Sequence, residues 1–385
     1  MSGAGRCERL QDVHTLFFYG TLRDADVLGM VLGDEIATLT PAVLNDHVAM
    51  AVAGETFPII AAKPGGQALG LLAENLSDEA VARLNYFELG FGYELRWLPV
   101  VAGDRECNAQ VYFCPPGLFD TDGEWDFARW DRLQKPLFLD AGAEFMAQYG
   151  RIPADQLEPL WLGICARATA RLAGRVTKAP AQLRGEHRGE AELLHMQRPY
   201  VGFFAVEDYD LRHRKFNGEM SAPINRSVFA SGDAVTVLPY DPRNDTVLLI
   251  EQFRAGPFAR QDPNPWCIEA IAGRVDPGEA PDVAARREAT EEANITLGRM
   301  ERMFGYYTSP GSCAEYITGF VAEANLSGAG GVHGLDSEDE DIRVMVVPLA
   351  DALATIASGE ANSAQLLLSL QWLASHHTRL REAWA

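Results

Sequence analysis

Residues 14–19, His-Thr-Leu-Phe-Phe-Tyr, read as a buried-type strand with the apolar run Leu16-Phe17-Phe18-Tyr19, and a helical pattern follows over residues 24–32. Further strands are expected at 57–60, 70–74, 96–101 and 109–114. A helix is expected over 76–84, with Ser77 as its N-cap and Asp78 and Glu79 in its first turn. Helices follow at 141–149 and 155–172. Residues 173–188 then turn rich in Gly, Arg and Ala around Pro180, the composition of a linker. Beyond it the pattern alternates again. Strands are expected at 202–209, 210–216, 227–229, 233–240, 246–253, 266–272, 302–307, 316–322 and 342–348, with helices after Pro281 and at 350–358 and 361–376. The chain therefore reads as a first domain over 12–165, a linker over 166–191 and a second domain over 192–385.

One stretch breaks the alternation of core and surface. After Gly273 and the turn to Glu279, residues 281–293 form a helix opened by Pro281 and Asp282. Glu288, Glu291 and Glu292 stand at i, i+3 and i+4, so their carboxylates share one face. Ala285, Ala289 and Ala293 form a small stripe suited to packing, and Arg287 stands where it can hold Glu291. Like charges at that spacing cost a helix a few tenths of a kcal/mol each. A divalent cation removes the cost, and an all-oxygen donor set suits Mg²⁺ bound together with substrate phosphates. A single acidic pair usually marks a solvated helix face; the full pattern with its glycine-rich entry argues for a metal site.

The net charge of −21, from 54 acids and 33 bases, argues against a nucleic-acid backbone or an anionic membrane as partner. It leaves nucleotides open, because a bound cation and a few arginines reverse the local field. Six cysteines without a CxxC pair fit reduced thiols in a cytoplasmic protein, and no apolar run has membrane-spanning length. Trp125 and Trp130, set among acids, are read as sealing a domain edge.

The stretch GRVDPGEAPDVAARREATEEANI, residues 273–295, resembles the Nudix box, with Asn294 where that family has Gly. Asn is the next-best residue for a left-handed helix end. With Arg226-Ser227-Val228-Phe229, VLLIEQFRAG, Ser309-Pro310-Gly311 and the acidic loop 336–341, the second half resembles ADP-ribose pyrophosphatases over residues 200–375. The resemblance implies an α/β/α Nudix sandwich that hydrolyses ADP-ribose to AMP and ribose 5-phosphate with Mg²⁺, or Mn²⁺ in its place. It implies metal ligation by Glu288, Glu292, Glu340 and the backbone oxygen of Ala272, with Glu338 as general base and Glu291 in the catalytic set. Arg226, Arg254 and Glu315 would contact substrate, and the protein would be a homodimer. Another nucleoside diphosphate sugar as substrate, or ligand sensing without turnover, are the alternatives.

The first half, with Tyr19-Gly20-Thr21-Leu22, the pair Phe57-Pro58, LSDEAVARLNYFE and Tyr93, resembles the gamma-glutamylcyclotransferase-like fold over residues 14–115. That implies a small β-barrel with flanking helices. Glu88 would be the acid/base, and Tyr19, Gly20, Thr21 and Leu22 would hold a gamma-glutamyl group. The family's Glu-Gly is Glu88-Leu89 here, with Gly90 one place later. The two halves in this order resemble bacterial tellurite-resistance proteins.

Overall fold

The computed structural model describes residues 14–35, 37–178, 180, 182–183, 190–335 and 340–385. The chain divides into two compact units between Ala168 and Thr169.

The first unit runs β1 (His14–Phe18), α1 (Ala25–Leu32), β2 (Thr38–Val52), β3 (Pro58–Leu76), α2 (Asp78–Leu89), β4 (Glu94–Ala102), β5 (Arg105–Phe113), β6 (Thr121–Glu124), α3 (Phe127–Leu133), α4 (Lys135–Met146) and α5 (Ala154–Leu157), and continues into α6 (Trp161–Val176). The strand order β3-β1-β5-β4-β2 closes through a β2–β3 pairing into a five-stranded barrel, with β6 added on β2. Closure leaves the barrel strands without a free edge. Phe17, Leu44, Leu72, Val100, Ala109 and Val111 fill its interior.

Two expected strands, 57–60 and 70–74, are parts of the single strand β3, and its partner β2 was not foreseen. The reason is local. Lys63-Pro64-Gly65-Gly66 has the composition of a turn, but it lies in β3 opposite an irregularity between Asn45 and His47. Gly65 and Asp46 both take positive φ there, and the Gly65 N–H donates to the Asp46 carboxylate at 2.7 Å. A bulge has absorbed residues that would otherwise end the strand. Trp130 is buried and packs on Phe127 and Phe138, with Trp125 at its edge. Helix α6 continues to Val176, so residues 166–176 of the expected linker are helical.

The second unit contains β7 (Ala191–Val201), β8 (Ala205–His213), β9 (Ile224–Ala230), β10 (Ala234–Asp241), β11 (Thr246–Phe253), α7 (Ala255–Ala259), β12 (Trp266–Glu269), β13 (Ile271–Arg274), α8 (Pro281–Ala293), β14 (Met300–Tyr307), β15 (Tyr316–Glu323), β16 (Gly331–His333), β17 (Ile342–Pro348), α9 (Leu349–Ser358) and α10 (Ala364–Trp384). Its main sheet has the order β14-β15-β10-β11-β17-β16, with β12 on β11 and β13 on β10. Strand alternation assigns the two faces. Leu248 and Ile250 of β11 pack with Ala284, Ala285, Ala289 and Ala293 of α8. Val247 and Leu249 pack with α9 and α10 on the other side. This is the expected α/β/α sandwich.

Strands β7, β8 and β9 form a separate antiparallel sheet. The expected strands 202–209 and 210–216 merge into one strand, β8, over Ala205–His213, and β7 was not expected. Arg198 of β7 meets Glu207 of β8 at 2.7 Å, and both are buried. Among the described residues no helix is long and apolar enough to cross a membrane.

Candidate active sites

Helix α8 begins at Pro281 and ends at Asn294, whose φ of 50° and ψ of 43° are left-handed, as the cap position requires. The alanine stripe is buried against the sheet. This anchorage turns Glu288 and Glu292 toward β13 on the same side. Glu292 is buried, and its Oε2 accepts the Ala272 N–H at 3.2 Å. Glu288 lies directly on Gly273. A Cβ at that position would stand 1.9 Å from the Glu288 Oε1, so glycine is what gives this carboxylate its place.

Arg287 organises the rest. Its guanidinium donates to Glu288 Oε1 at 2.8 Å, to Glu291 Oε2 at 2.9 Å, to Glu279 Oε2 at 3.0 Å and to the Arg274 carbonyl at 2.9 Å. The bond to Glu291 is the one its spacing implied. Burial pushes the Glu288 carboxyl up to about 7, against the lowering effect of Arg287. Burial, then the neighbouring Glu288, pushes Glu292 up to about 8. Two carboxylates held together in a poorly solvated place are the donor set a hard divalent cation stabilises.

The other expected residues are placed unevenly. Glu340 has its Oε2 engaged by the Leu335 N–H at 3.2 Å. Its charge acts on both Glu288 and Glu292. Even so, among the described residues no three His, Cys, Asp or Glu side chains stand close enough together to hold a metal ion. Glu338 lies outside the described residues. Arg254 feels the charge of Glu269 first and, more weakly, that of Glu292. It is held by Glu269, whose Oε2 accepts from its Nε at 3.0 Å and its Nη2 at 2.6 Å. Gln365 of α10 supports the other oxygen of Glu269 at 3.3 Å. Sequence reading missed Glu269, because only the pairing of β12 with β11 brings it to Arg254. Glu315 accepts the Ser231 hydroxyl at 3.3 Å, beside Asp233, which burial and then Glu315 raise toward 6 against the Tyr316 N–H. Arg226 is exposed on β9, with its Nη1 on the Asn225 carbonyl, and is not joined to the carboxylates.

In the first unit, Tyr19, Gly20, Thr21, Leu22 and Glu88 do come together. They line a cavity of about 50 Å³ with Phe57, Phe91, Tyr93 and Trp161, room enough for several waters or a small ligand group. Gly20 opens a 3₁₀ turn over Thr21–Arg23, closed by the bond from Arg23 N–H to its carbonyl. The N–H groups at the start of such a turn have no partner within it. Tyr93 is fixed by its hydroxyl on the Pro58 carbonyl at 3.0 Å. Helix α2 extends beyond the expected 84 to Leu89, so Glu88 leaves its last turn and faces the cavity. By solvent exposure the side chain is half-buried, and the burial it has pushes its carboxyl up to about 8. Leu89 needs no special backbone. The left-handed turn falls on Gly92, with φ +81°, whose N–H donates to the Leu89 carbonyl.

Residues 230–368 match the NUDIX domain, and residues 16–130 match the family described as gamma-glutamyl cyclotransferase, AIG2-like. The chain is 38% identical over 198 residues to an ADP-ribose pyrophosphatase of Escherichia coli (strain K12), covering 51% of this chain and 94% of that protein. It is 35% identical over 197 residues to an ADP-ribose pyrophosphatase of Haemophilus influenzae, covering 51% of this chain and 91% of that one. A GDP-mannose pyrophosphatase of Enterobacter sp. (strain 638) is 37% identical over 168 residues, or 43% of this chain and 84% of the relative. The chain thus belongs to the Nudix hydrolases, as a relative of the ADP-ribose pyrophosphatases that carries a gamma-glutamyl cyclotransferase, AIG2-like domain ahead of its Nudix domain.

Proposed function

We propose that the second unit hydrolyses ADP-ribose to AMP and ribose 5-phosphate with Mg²⁺, for which Mn²⁺ can substitute. The observation that carries this reading is the Glu288–Glu292 pair seated on Ala272 and Gly273. It is supported by identity over nearly the full length of named ADP-ribose pyrophosphatases. Proteins of this kind generally need divalent metal ions. Glu288, Glu292, Glu340 and the Ala272 carbonyl would hold the metal. When bound, it neutralises the diphosphate and acidifies a water. The chain's own residues do the rest. Arg287 fixes the rotamers of Glu288 and Glu291. The Ala272 N–H leaves one Glu292 oxygen committed and the other available. Arg254, pre-oriented by Glu269, presents a guanidinium fork to phosphate oxygens. Glu315 completes the substrate contacts within the chain, Arg226 on the exposed β9 serves the second copy's site in a homodimer, and Glu338 accepts the proton of the attacking water. The chain works as a cytoplasmic homodimer.

The test is a panel of ADP-ribose, GDP-mannose and other nucleoside diphosphate sugars with Mg²⁺, for wild type and Glu292→Gln. ADP-ribose should give the highest kcat/KM, and Glu292→Gln should lose at least ~10²-fold while staying folded. A preference for GDP-mannose overturns the substrate, and near-normal turnover in the variant overturns the metal assignment.

A second reading concerns the first unit, and the convergence of Glu88 with residues 19–22 favours it. We propose that it cyclises gamma-glutamyl amines to 5-oxoproline. The α-amine loses a proton as it attacks the γ-carbonyl, and the leaving amine gains one. A single carboxylate between the two nitrogens serves both steps. The base must be ionised, so with Glu88 near 8 5-oxoproline release should rise as pH passes through about 8 and vanish in Glu88→Gln. Release unaffected by that substitution would exclude Glu88.

A further inference from the structure

On the box-facing side of the main sheet one buried amide nitrogen has no partner among the described residues. Gln252 is only 6% exposed, yet its Nε2 has no hydrogen-bond partner among the described residues. Sheet geometry fixes which way it faces. Leu248 and Ile250, two and four residues before it, pack on helix α8, and every second residue of a strand shares a face. Two residues beyond it is Arg254, the residue coupled to Glu292. Across the ladder Gln252 stands opposite Cys267, and Ile250 opposite Glu269. To reach Glu269, the Arg254 side chain must therefore fold back past the Gln252–Cys267 pair. The amide is thus buried on the face it shares with Ile250 and Arg254, the side of the sheet against which the box helix packs.

Buried amide N–H groups are nearly always paired in native proteins, because leaving one unpaired is destabilising. An apolar residue of equal shape would fill this position, which continues the buried face of Leu248 and Ile250. The group needs an acceptor that arrives from outside. A diphosphate drawn in by Arg254 and the box carboxylates' cation brings acceptors only. A neutral amide can bind it without competing for that cation. We propose that Gln252 is a substrate-binding residue whose Nε2 donates a hydrogen bond to a non-bridging oxygen of the diphosphate. A site built this way discriminates by the unpaired donor it leaves when the acceptor is missing. The inference rests on the diphosphate-hydrolase reading of the site.

The experiment compares full-length wild type, Gln252→Met and Gln252→Glu. Methionine keeps the length and removes the donor; glutamate keeps the shape and places an acceptor against an anion. Tm without ligand, kcat and KM for ADP-ribose, and Kd for its methylene-bridged, non-hydrolysable analogue with Mg²⁺ are measured. Gln252→Met should melt at or above the wild-type temperature, since an unpaired amide is gone. Its kcat/KM should fall about tenfold or more, with the analogue weakened to a similar degree. Gln252→Glu should bind the analogue more weakly still. A purely structural role would move Tm and leave both affinities alone. Analogue binding and kcat/KM within twofold of wild type in either folded variant overturn the proposal. Should wild type instead cleave another diphosphate sugar, ADP-ribose fails as substrate, and the same comparison on the cleaved sugar decides Gln252 separately.

Discussion

The sharpest dependence of chemistry on a single missing atom lies at Gly273. Alanine there would put a Cβ 1.9 Å from Oε1 and 2.0 Å from Cδ of Glu288. Ordinary contact begins near about 3.5 Å, so the carboxyl must withdraw by roughly 1.5 Å. The backbone is not asked to move, because Gly273 has no positive φ and the clash is with the far end of a flexible side chain. Stability should therefore change by no more than about 1 kcal/mol. Activity should not be spared. A misplacement of about 1 Å in a catalytic constellation costs on the order of 10²-fold. Gly273→Ala should thus lose ~10²-fold in kcat for Mg²⁺-dependent ADP-ribose hydrolysis with a nearly unchanged Tm. A double-mutant cycle makes the cause testable. If the glycine acts through Glu288, Gly273→Ala added to Glu288→Gln should cost little more than Glu288→Gln alone. A folded Gly273→Ala enzyme within about fivefold of wild type, or full additivity in the cycle, refutes the reasoning.

Asn294→Gly should leave turnover unchanged and stabilise the second unit by about 0–0.5 kcal/mol in denaturant unfolding, since Asn294 already holds the left-handed cap at φ 50°; a loss of activity would assign the Asn side chain a role of its own. Glu88→Gln tests the burial of the other carboxyl through pH. The folded state keeps the Glu88 proton up to about 8, above the ordinary value of 4.5, so it binds the proton more tightly than the unfolded chain. Burial then costs nothing below 4.5, and the cost grows from there to about 8. The full displacement corresponds to about 5 kcal/mol. The cavity admits water, so about 2 kcal/mol is expected after screening. Glu88→Gln should therefore raise the melting temperature of the first unit at pH 9 and leave it unchanged at pH 4.5; equal effects at both would mean that the carboxyl is solvated.

What could be read from the chain was what is encoded locally. The helix of the Nudix box carries its own start at Pro281, its left-handed end at Asn294, its packing stripe and the Arg287–Glu291 bond within one continuous stretch, and all four were found in place. Spacing along one helix is enough to place such groups on a face. The same logic failed wherever a residue's meaning depends on a distant strand. Lys63-Pro64-Gly65-Gly66 reads as a turn until Asp46 appears opposite it. Arg198 reads as a loop charge until Glu207 is paired with it. The resemblance offers Arg254 as a substrate contact, but Glu269, which holds it, lies fifteen residues on and reaches it only through the β11–β12 register. Gln252 is the extreme case. In sequence it is one of two polar letters, Glu251-Gln252, that end an apolar run, and only a three-dimensional count of donors and acceptors shows that its Nε2 lacks a partner among the described residues. Groups that serve chemistry by staying unpaired leave no periodic signal, because periodicity records what packs. The strand that reads most completely as core is therefore where sequence was least able to point to function.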